Sequence, residues 1–136
     1  MTPLFKKLNF KGQKEIVILN APEEFEKEVA SVKNEALVHA SIRDCRNPGF
    51  VIAFVKTKKE IDSVAEFLLK KMEGDPVIWL AYPKKTSKKY KVEINRDNGW
   101  ESIKKLGFET VRAVAIDDDW SALRFRRAQF VKNKIR

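Results

Sequence analysis

The feature that most constrains the fold of this chain is an apolar run that changes without a break into a basic loop. The run extends from Val77 to Tyr82, and the loop extends from Lys84 to Lys91. A run so short and so uniformly apolar is typical of a strand buried on both faces, as in the middle of a parallel sheet. Ligands of open α/β sheets bind just beyond the carboxyl ends of such strands. The sequence therefore predicts a binding site beside this loop.

Length and composition indicate one folded domain. The chain has 136 residues, of which 43% are hydrophobic and 10% aromatic, so one core of ordinary size can form. We predict a single domain over residues 1–136, with an N-terminal arm at 1–14 and a basic tail at 129–136. The arm carries Phe5, Leu8 and Phe10, which are apolar enough to dock on the body of the domain.

The positive charge is unevenly distributed. The net charge is +9, yet residues 15–40 contain six acidic and only two basic side chains. The excess of lysine and arginine lies in residues 1–14, 84–96 and 121–136. Basic patches of this kind attract phosphates, nucleic acid or acidic partners, whereas a charge without a partner serves only solubility.

The sequence also bears on the compartment. Cys45 is the only cysteine, so no internal disulfide can form, which is typical of a reducing environment. The first residues lack the apolar segment of a secretory signal. No apolar run reaches the roughly 20 residues that a bilayer-spanning helix needs. We therefore expect a soluble cytoplasmic protein that makes no contact with a membrane.

Strand-like and helix-like segments alternate along the chain. Thr57 and Glu60 have the spacing of a helix capping box, and Asp97 or Asn98 can cap a later helix. Gly74 and Pro76 end the helix that precedes the central strand. The predicted strands are 15–21, 36–42, 50–55, 77–82, 109–116 and 121–128, and the predicted helices are 3–8, one that begins at 22, one from 57 to 72 and one at 98–106.

This order predicts a mostly parallel α/β sheet with helices on both faces. The short acidic turn before the last strand makes the final two strands an antiparallel hairpin. The pattern resembles the Rossmann-like methyltransferase fold, shortened by one helix and one strand in its first half. That resemblance implies a three-layer domain with six strands in the order 2-1-3-4-6-5 and an antiparallel sixth strand.

The turn after the first strand lacks the residues that hold a cofactor in this fold. Dinucleotide and S-adenosylmethionine sites normally have a glycine-rich turn there, because the backbone must approach the ligand and donate free N–H groups to it. Residues 19–24 contain no glycine. Pro22 removes one donor, and Glu23 and Glu24 place negative charge where an anion would bind. We therefore predict no cofactor.

Other signatures of catalysis or metal binding are missing from the sequence. His39 is the only histidine, and Cys45 lies too far along the same segment to face it as a nucleophilic pair. Asp117, Asp118 and Asp119 are consecutive in a tight turn, so they do not have the spacing of a calcium loop. No P-loop sequence is present. We therefore predict neither a metal site nor catalytic residues.

Several short motifs are distributed over the chain. They are Thr2-Pro3-Leu4 with Lys6-Lys7-Leu8, Asn20-Ala21-Pro22, Tyr82-Pro83-Lys84-Lys85, Arg96-Asp97 with Trp100, and Asp117 with the segment from Trp120 to Arg126. These motifs resemble those of a bacterial family of small proteins of unknown function with a Rossmann-like, degenerate methyltransferase architecture. The resemblance spans nearly the whole chain and implies a bacterial cytoplasmic protein, but it brings no known activity.

The predicted topology brings several of these residues to one rim of the sheet. We interpret the chain as a non-catalytic protein that binds an anionic small molecule or an acidic partner on a Rossmann-like scaffold. Two alternatives stay open, a nucleic-acid-associated protein that uses the basic loop and tails, and a diverged S-adenosylmethionine-dependent methyltransferase. The predicted ligand-binding residues are Tyr82, Lys84, Lys85, Arg96, Asp97 and Arg124.

Overall fold

A computed structural model describes residues 2–41, 47–91 and 93–131. Cys45 and the part of the predicted basic tail from 132 to 136 lie outside the described residues. The helices are α1 (Pro3–Lys7), α2 (Glu26–Val32), α3 (Lys58–Phe67) and α4 (Glu101–Lys105), and short 3-10 turns occupy Glu23–Phe25, Leu69–Lys71 and Ala128–Phe130. The strands are β1 (Glu15–Leu19), β2 (Leu37–His39), β3 (Phe50–Phe54), β4 (Val77–Pro83), β5 (Phe108–Ala115) and β6 (Trp120–Arg127).

The six strands form one mixed sheet in the order β2-β1-β3-β4-β6-β5, which confirms the predicted topology. The pairs among β1, β2, β3 and β4 are parallel, and β6 is antiparallel to both β4 and β5. Every residue of β4 is buried, as the apolar run predicts. The domain is thus a shortened α/β fold of the Rossmann-like methyltransferase type.

Two hydrophobic clusters lie on opposite faces of the sheet. On one face, α3 and α4 bury Ile61 and Ile103 against strand residues such as Leu80. On the other face, Phe5 of α1 and Phe25 before α2 pack against strand residues of the second cluster. The helices therefore cover both faces, because each helix has only one apolar side to bury.

The N-terminal arm is part of the second cluster. Phe5, Leu8 and Phe10 are fully buried, and the Phe5 ring lies 5.8 Å from the ring of Phe50. The indole N–H of Trp79 in β4 donates a hydrogen bond of 2.7 Å to the Leu8 carbonyl. This bond satisfies a polar group that would otherwise be buried without a partner.

The structure corrects three local predictions. The helix from Thr57 ends at Phe67, because Leu68 leaves the helical region, and a 3-10 turn continues the apolar stripe. Thr57 does accept the N–H of Glu60, but the Glu60 carboxylate accepts the N–H of Lys56, one residue before the cap. The predicted strand 36–42 is shorter, since β2 has only three residues in its described part.

A fourth correction concerns the helix that follows the basic loop. It begins at Glu101, and neither Asp97 nor Asn98 caps it. Both of their N–H groups instead donate to the side chain of Asn95, which forms a separate turn. Gly99 closes this turn with φ +106°, and a Cβ there would lie 2.7 Å from Ile94. A glycine is therefore required between the turn and the helix.

Within the part of the chain that the structure describes, no helix combines the length and the apolar character needed to cross a bilayer.

Candidate ligand-binding site

A cleft of about 270 Å³ opens beyond the carboxyl end of β4. It lies where the apolar run gives way to the basic loop, which is the position that the topology predicts for a ligand. Four of the six predicted site residues line it. The lining residues are Tyr82, Lys84, Lys85, Thr86, Asn95, Arg96 and Ser121.

The pairing of β4 with β6 fixes one wall of the cleft. Tyr82 is in register with Ser121, so the first residues of β6 lie beside the last residues of β4. The N–H of Lys84 donates to the carbonyl of Asp119 at 2.7 Å, and the Ser87 hydroxyl donates to the Asp119 carboxylate at 2.8 Å. The start of the basic loop is therefore held against the acidic turn before β6.

That acidic turn is stabilised from within. The Asp117 carboxylate accepts the N–H groups of Asp119 and Trp120, each at 2.8 Å. This is the side-chain-to-backbone bonding by which aspartate stabilises turns. Among the residues that the structure describes, no group of three histidine, cysteine, aspartate or glutamate side chains is arranged to hold a metal ion.

The turn at Asn95 fixes the opposite wall. Its carbonyl accepts the indole N–H of Trp100 at 2.7 Å, and Trp100 packs on Tyr82 with ring centroids 5.6 Å apart. Both rings are almost fully buried. Arg96 follows Asn95 directly, so this buried aromatic pair positions the arginine at the cleft.

The cations of the cleft are not neutralised by the protein. Over the described residues, Lys84, Lys85 and Arg96 have no carboxylate within ion-pair distance. Lys85 and Arg96 are exposed, and Lys84 is half-buried. Three positive charges beside one depression without acidic partners create a positive potential that attracts anions.

Lys89, in the same basic loop, is used differently. Its ammonium lies 3.0 Å from the Glu24 carboxylate, which follows β1 in the first crossover. The Tyr90 hydroxyl donates to the same carboxylate at 2.7 Å, and the Trp120 indole N–H donates to it at 2.9 Å. We call Glu24, Lys89, Tyr90 and Trp120 the crossover cluster.

The electrostatics of the crossover cluster centre on Glu24. Partial burial alone would raise the pKa of the Glu24 carboxyl, but hydrogen bonds from Tyr90, Trp120 and Lys89, together with one from its own backbone, outweigh burial and lower the pKa to about 2. Burial and the bond to Glu24 raise the pKa of the Tyr90 hydroxyl. The bond to Glu24 also raises the pKa of the Lys89 ammonium. All three groups therefore keep their ordinary charge at neutral pH.

A second depression, of about 400 Å³, borders the crossover cluster at the carboxyl ends of β1 and β3. Glu23, Glu24 and Pro22 line it, as does Asn20, whose backbone adopts φ 57°. An anionic group would find no N–H on Pro22 and would meet these two carboxylates, although Lys56 and Lys89 also line the depression. The turn thus keeps one glycine-like backbone conformation, at Asn20, but it has no glycine and it carries two carboxylates.

Two predicted site residues do not join the cleft. Asp97 is exposed and is not among the lining residues. Arg124 lies three residues after Ser121 on β6 and pairs with Trp79 of β4. Because side chains alternate between faces along a strand, Arg124 is on the face opposite to Tyr82 and Ser121. The start of β6 does reach the rim as predicted, but Arg124 is too far along the strand.

Sequence reasoning missed Ser121, Thr86 and Asn95 as lining residues. Ser121 could have been found from the hairpin, since an antiparallel last strand must begin at the rim where β4 ends. Asn95 could have been found from the Asn-x-Asp-Asn spacing, which is typical of a side-chain-stabilised turn. The contacts of Glu24 with Lys89 and Tyr90 join residues more than sixty positions apart and have no local signal.

No family model matches this chain, and no curated protein sequence matches it. Solved structures do match in fold. A putative type 11 methyltransferase from Sulfolobus solfataricus aligns with a TM-score of 0.56 and 9% identity, covering 88% of this chain and 87% of that one. A SAM-dependent methyltransferase from Aquifex aeolicus aligns with a TM-score of 0.52 and 12% identity, covering 90% and 87%.

A third match is magnesium protoporphyrin IX methyltransferase from Synechocystis, solved with bound SAM. It aligns with a TM-score of 0.55 and 10% identity, covering 92% of this chain and 74% of that one. At these identities the likeness concerns the fold alone. The chain therefore has the fold of SAM-dependent methyltransferases, and the fold by itself does not choose a function.

Proposed function

We propose that this protein binds a small anionic molecule without catalysing a reaction, and that Lys84, Lys85 and Arg96 hold the anion. The observation that carries the proposal is the convergence of these three cations, none neutralised by a described carboxylate, on one cleft at the carboxyl end of β4. The depression at the first crossover is less suited to an anion, because Glu23 and Glu24 line it beside two lysines and Pro22 offers no N–H.

The chemistry of the cleft suits a phosphate or carboxylate group. Lysine supplies a compact positive charge, whereas arginine supplies a planar fork that matches two oxygens of one anion. The volume of about 270 Å³ is just below the range of about 300 to 1,000 Å³ that is usual for whole ligands. We therefore expect the cleft to hold either a small anion or the charged end of a larger molecule.

Replacing Lys84 and Lys85 together by alanine tests this function. We expect the double variant to bind the anions that stabilise the wild type at least about tenfold more weakly, because each charge-assisted bond contributes about 1.5 kcal/mol or more. Binding would be found by a thermal-shift screen of phosphorylated and carboxylated metabolites at low salt. Titration calorimetry would then measure the dissociation constants.

The matched control is the double variant Lys88→Ala with Lys91→Ala. Both residues are exposed lysines of the same loop that do not line the cleft, so the change in net charge is identical. Equal losses in the two double variants would contradict a specific site. Tight binding of DNA or RNA oligomers that both double variants weaken alike would instead favour the nucleic-acid alternative.

A diverged S-adenosylmethionine-dependent methyltransferase is the second candidate, since proteins of that class share the fold. We expect S-adenosylmethionine at millimolar concentration to leave the melting temperature unchanged, because the turn at Asn20 to Glu24 has no glycine and carries carboxylates. A ligand that binds only the native state stabilises it by RT ln(1 + L/Kd), where L is the free ligand concentration, so the melting temperature keeps rising with the logarithm of L once L exceeds Kd. A concentration-dependent rise of this form with S-adenosylmethionine would favour the methyltransferase and oppose the first proposal.

The bacterial origin, the cytoplasmic location and the family likeness stay predictions from the sequence.

A further inference from the structure

A pair of arginines lies on the face of the sheet opposite to the cleft. Arg112 of β5 is directly in register with Arg124 of β6, so the two side chains project from the same face of the hairpin. Arg112 is exposed, and Arg124 is half-buried. The Nε of Arg124 is buried and, within the described residues, has no hydrogen-bond partner.

This arrangement is unfavourable in the unliganded protein. Like charges directly opposite one another across two strands destabilise the pair. Burial, and then the charges of Arg126 and Arg112, lower the pKa of Arg124. A buried donor without a partner adds a further cost. Features that reduce stability in this way are typical of sites that are completed by a ligand.

Among the arginines on this face, Arg112 and Arg124 are the two without a carboxylate partner in the described structure. Arg126 is already engaged, since its guanidinium forms two hydrogen bonds with the Asp75 carboxylate. Glu109 is in register with Arg126, so it adds a carboxylate to the same face of the hairpin. In the described structure neither Arg112 nor Arg124 forms an ion pair with a carboxylate.

We propose that Arg112 and Arg124 together form a second ligand site that binds one phosphate group of a small molecule. Two planar guanidinium groups can surround the oxygens of a single phosphate, which would also relieve the repulsion between them. A nucleic-acid strand fits less well, because its successive phosphates would meet Asp75 and Glu109.

The test uses the full chain with Lys84→Gln, Lys85→Gln and Arg96→Gln as the parent, so that none of the three cations of the cleft contributes to binding. Glycerol 3-phosphate is the probe, and its binding at low salt is followed by NMR titration and calorimetry. We expect Arg112→Gln and Arg124→Gln each to weaken binding at least about tenfold, and Arg124→Lys to weaken it because the planar fork is lost. Lys88→Gln, an equal charge change at an exposed lysine that lines neither site, should leave binding unchanged.

Stability provides an independent readout. Without ligand, Arg112→Gln should melt at the same temperature as its parent or higher, since the repulsion is relieved. Because Arg112 is exposed, this variant will answer the question even if Arg124→Gln does not fold. Glycerol 3-phosphate binding that survives in Arg112→Gln, or that is absent from the parent, would overturn the proposal. Tighter binding of a single-stranded oligonucleotide through the same arginines would also overturn it.

Discussion

Replacement of Phe5 by alanine is expected to lower the free energy of unfolding by about 3 to 5 kcal/mol, the range observed when a buried phenylalanine is truncated. Phe5 is 1% exposed, and its ring lies 5.8 Å from Phe10, 6.0 Å from Phe25 and 5.8 Å from Phe50. The substitution therefore leaves a cavity where the arm, the first crossover and the sheet meet. Urea unfolding measured by circular dichroism will give the change.

Phe67→Ala is the matched control for Phe5→Ala, because it removes the same side chain from a position that is 57% exposed. We expect its cost to stay within about 0.5 kcal/mol. If Phe5→Ala cost no more than the control, the arm would not be part of the core. The unfolding free energy should fall with urea concentration at the same slope in both variants. A change in the midpoint urea concentration then reports a change in stability alone.

Glu24→Gln is expected to lower the free energy of unfolding by about 2 kcal/mol at pH 7. The ionised carboxylate accepts bonds from Tyr90, Trp120 and Lys89, and hydrogen bonds to a charged group contribute about 1.5 to 3 kcal/mol. A neutral amide accepts weaker hydrogen bonds than a carboxylate. Its NH2 group is also a donor, so it cannot accept from Tyr90, Trp120 or Lys89. Since Trp120 is fully buried, its fluorescence spectrum should shift to the red when the cluster loosens.

The destabilisation caused by Glu24→Gln should become smaller as the pH falls. The pKa of the Glu24 carboxyl is about 2 in the folded chain against an ordinary value of 4.5, so the native state binds fewer protons than the unfolded state between these values. The contribution of the carboxylate is therefore complete above about pH 4.5 and is lost as the pH falls towards 2. Because the Glu24 side chain is 22% exposed, solvent screening limits the pH-dependent contribution of the carboxylate to the free energy of unfolding to about 1 to 2 kcal/mol.

The matched control is Glu23→Gln, the same change one residue earlier. Glu23 is exposed and makes no ion pair within the described chain, so the change should alter stability by less than about 0.5 kcal/mol. Unfolding of the wild type and both variants at pH 7, 4.5 and 3 will give the comparison. A gap between the wild type and Glu24→Gln that stayed constant down to pH 3 would contradict the role assigned to the carboxylate.

The crossover cluster also holds the loop that carries the lysines of the cleft. The loop that carries Lys84 and Lys85 at its start carries Lys89 and Tyr90 at its end, and the latter two are bound to Glu24. The loop is therefore fixed at both ends, by Asp119 and by Glu24. A fixed loop presents its lysines with little loss of conformational entropy on binding, which favours affinity for a small ligand.

The sequence by itself determined the architecture of this protein. Apolar runs such as Val77 to Tyr82, helix signals such as Thr57 and the short acidic turn before β6 are local features, and together they predict a mostly parallel α/β sheet that ends in an antiparallel hairpin. The strand order, which the structure confirms, followed from the resemblance of this pattern to the Rossmann-like methyltransferase fold. The lack of a glycine after β1 was equally visible. These predictions succeeded because strand burial, helix caps and turns each depend on residues that are close together in the chain.

Only the tertiary structure decided which basic residues share a site. Lys84 and Lys89 look alike in the sequence, yet one lines a cleft and the other is neutralised by Glu24, 65 positions away. Arg124 was predicted at the cleft but lies on the opposite face, beside Arg112. The face of a strand residue depends on the register between strands, and a shift of one residue reverses every side chain. In β5 an irregularity between Thr110 and Arg112 sets that register, and no local pattern in the sequence reveals it.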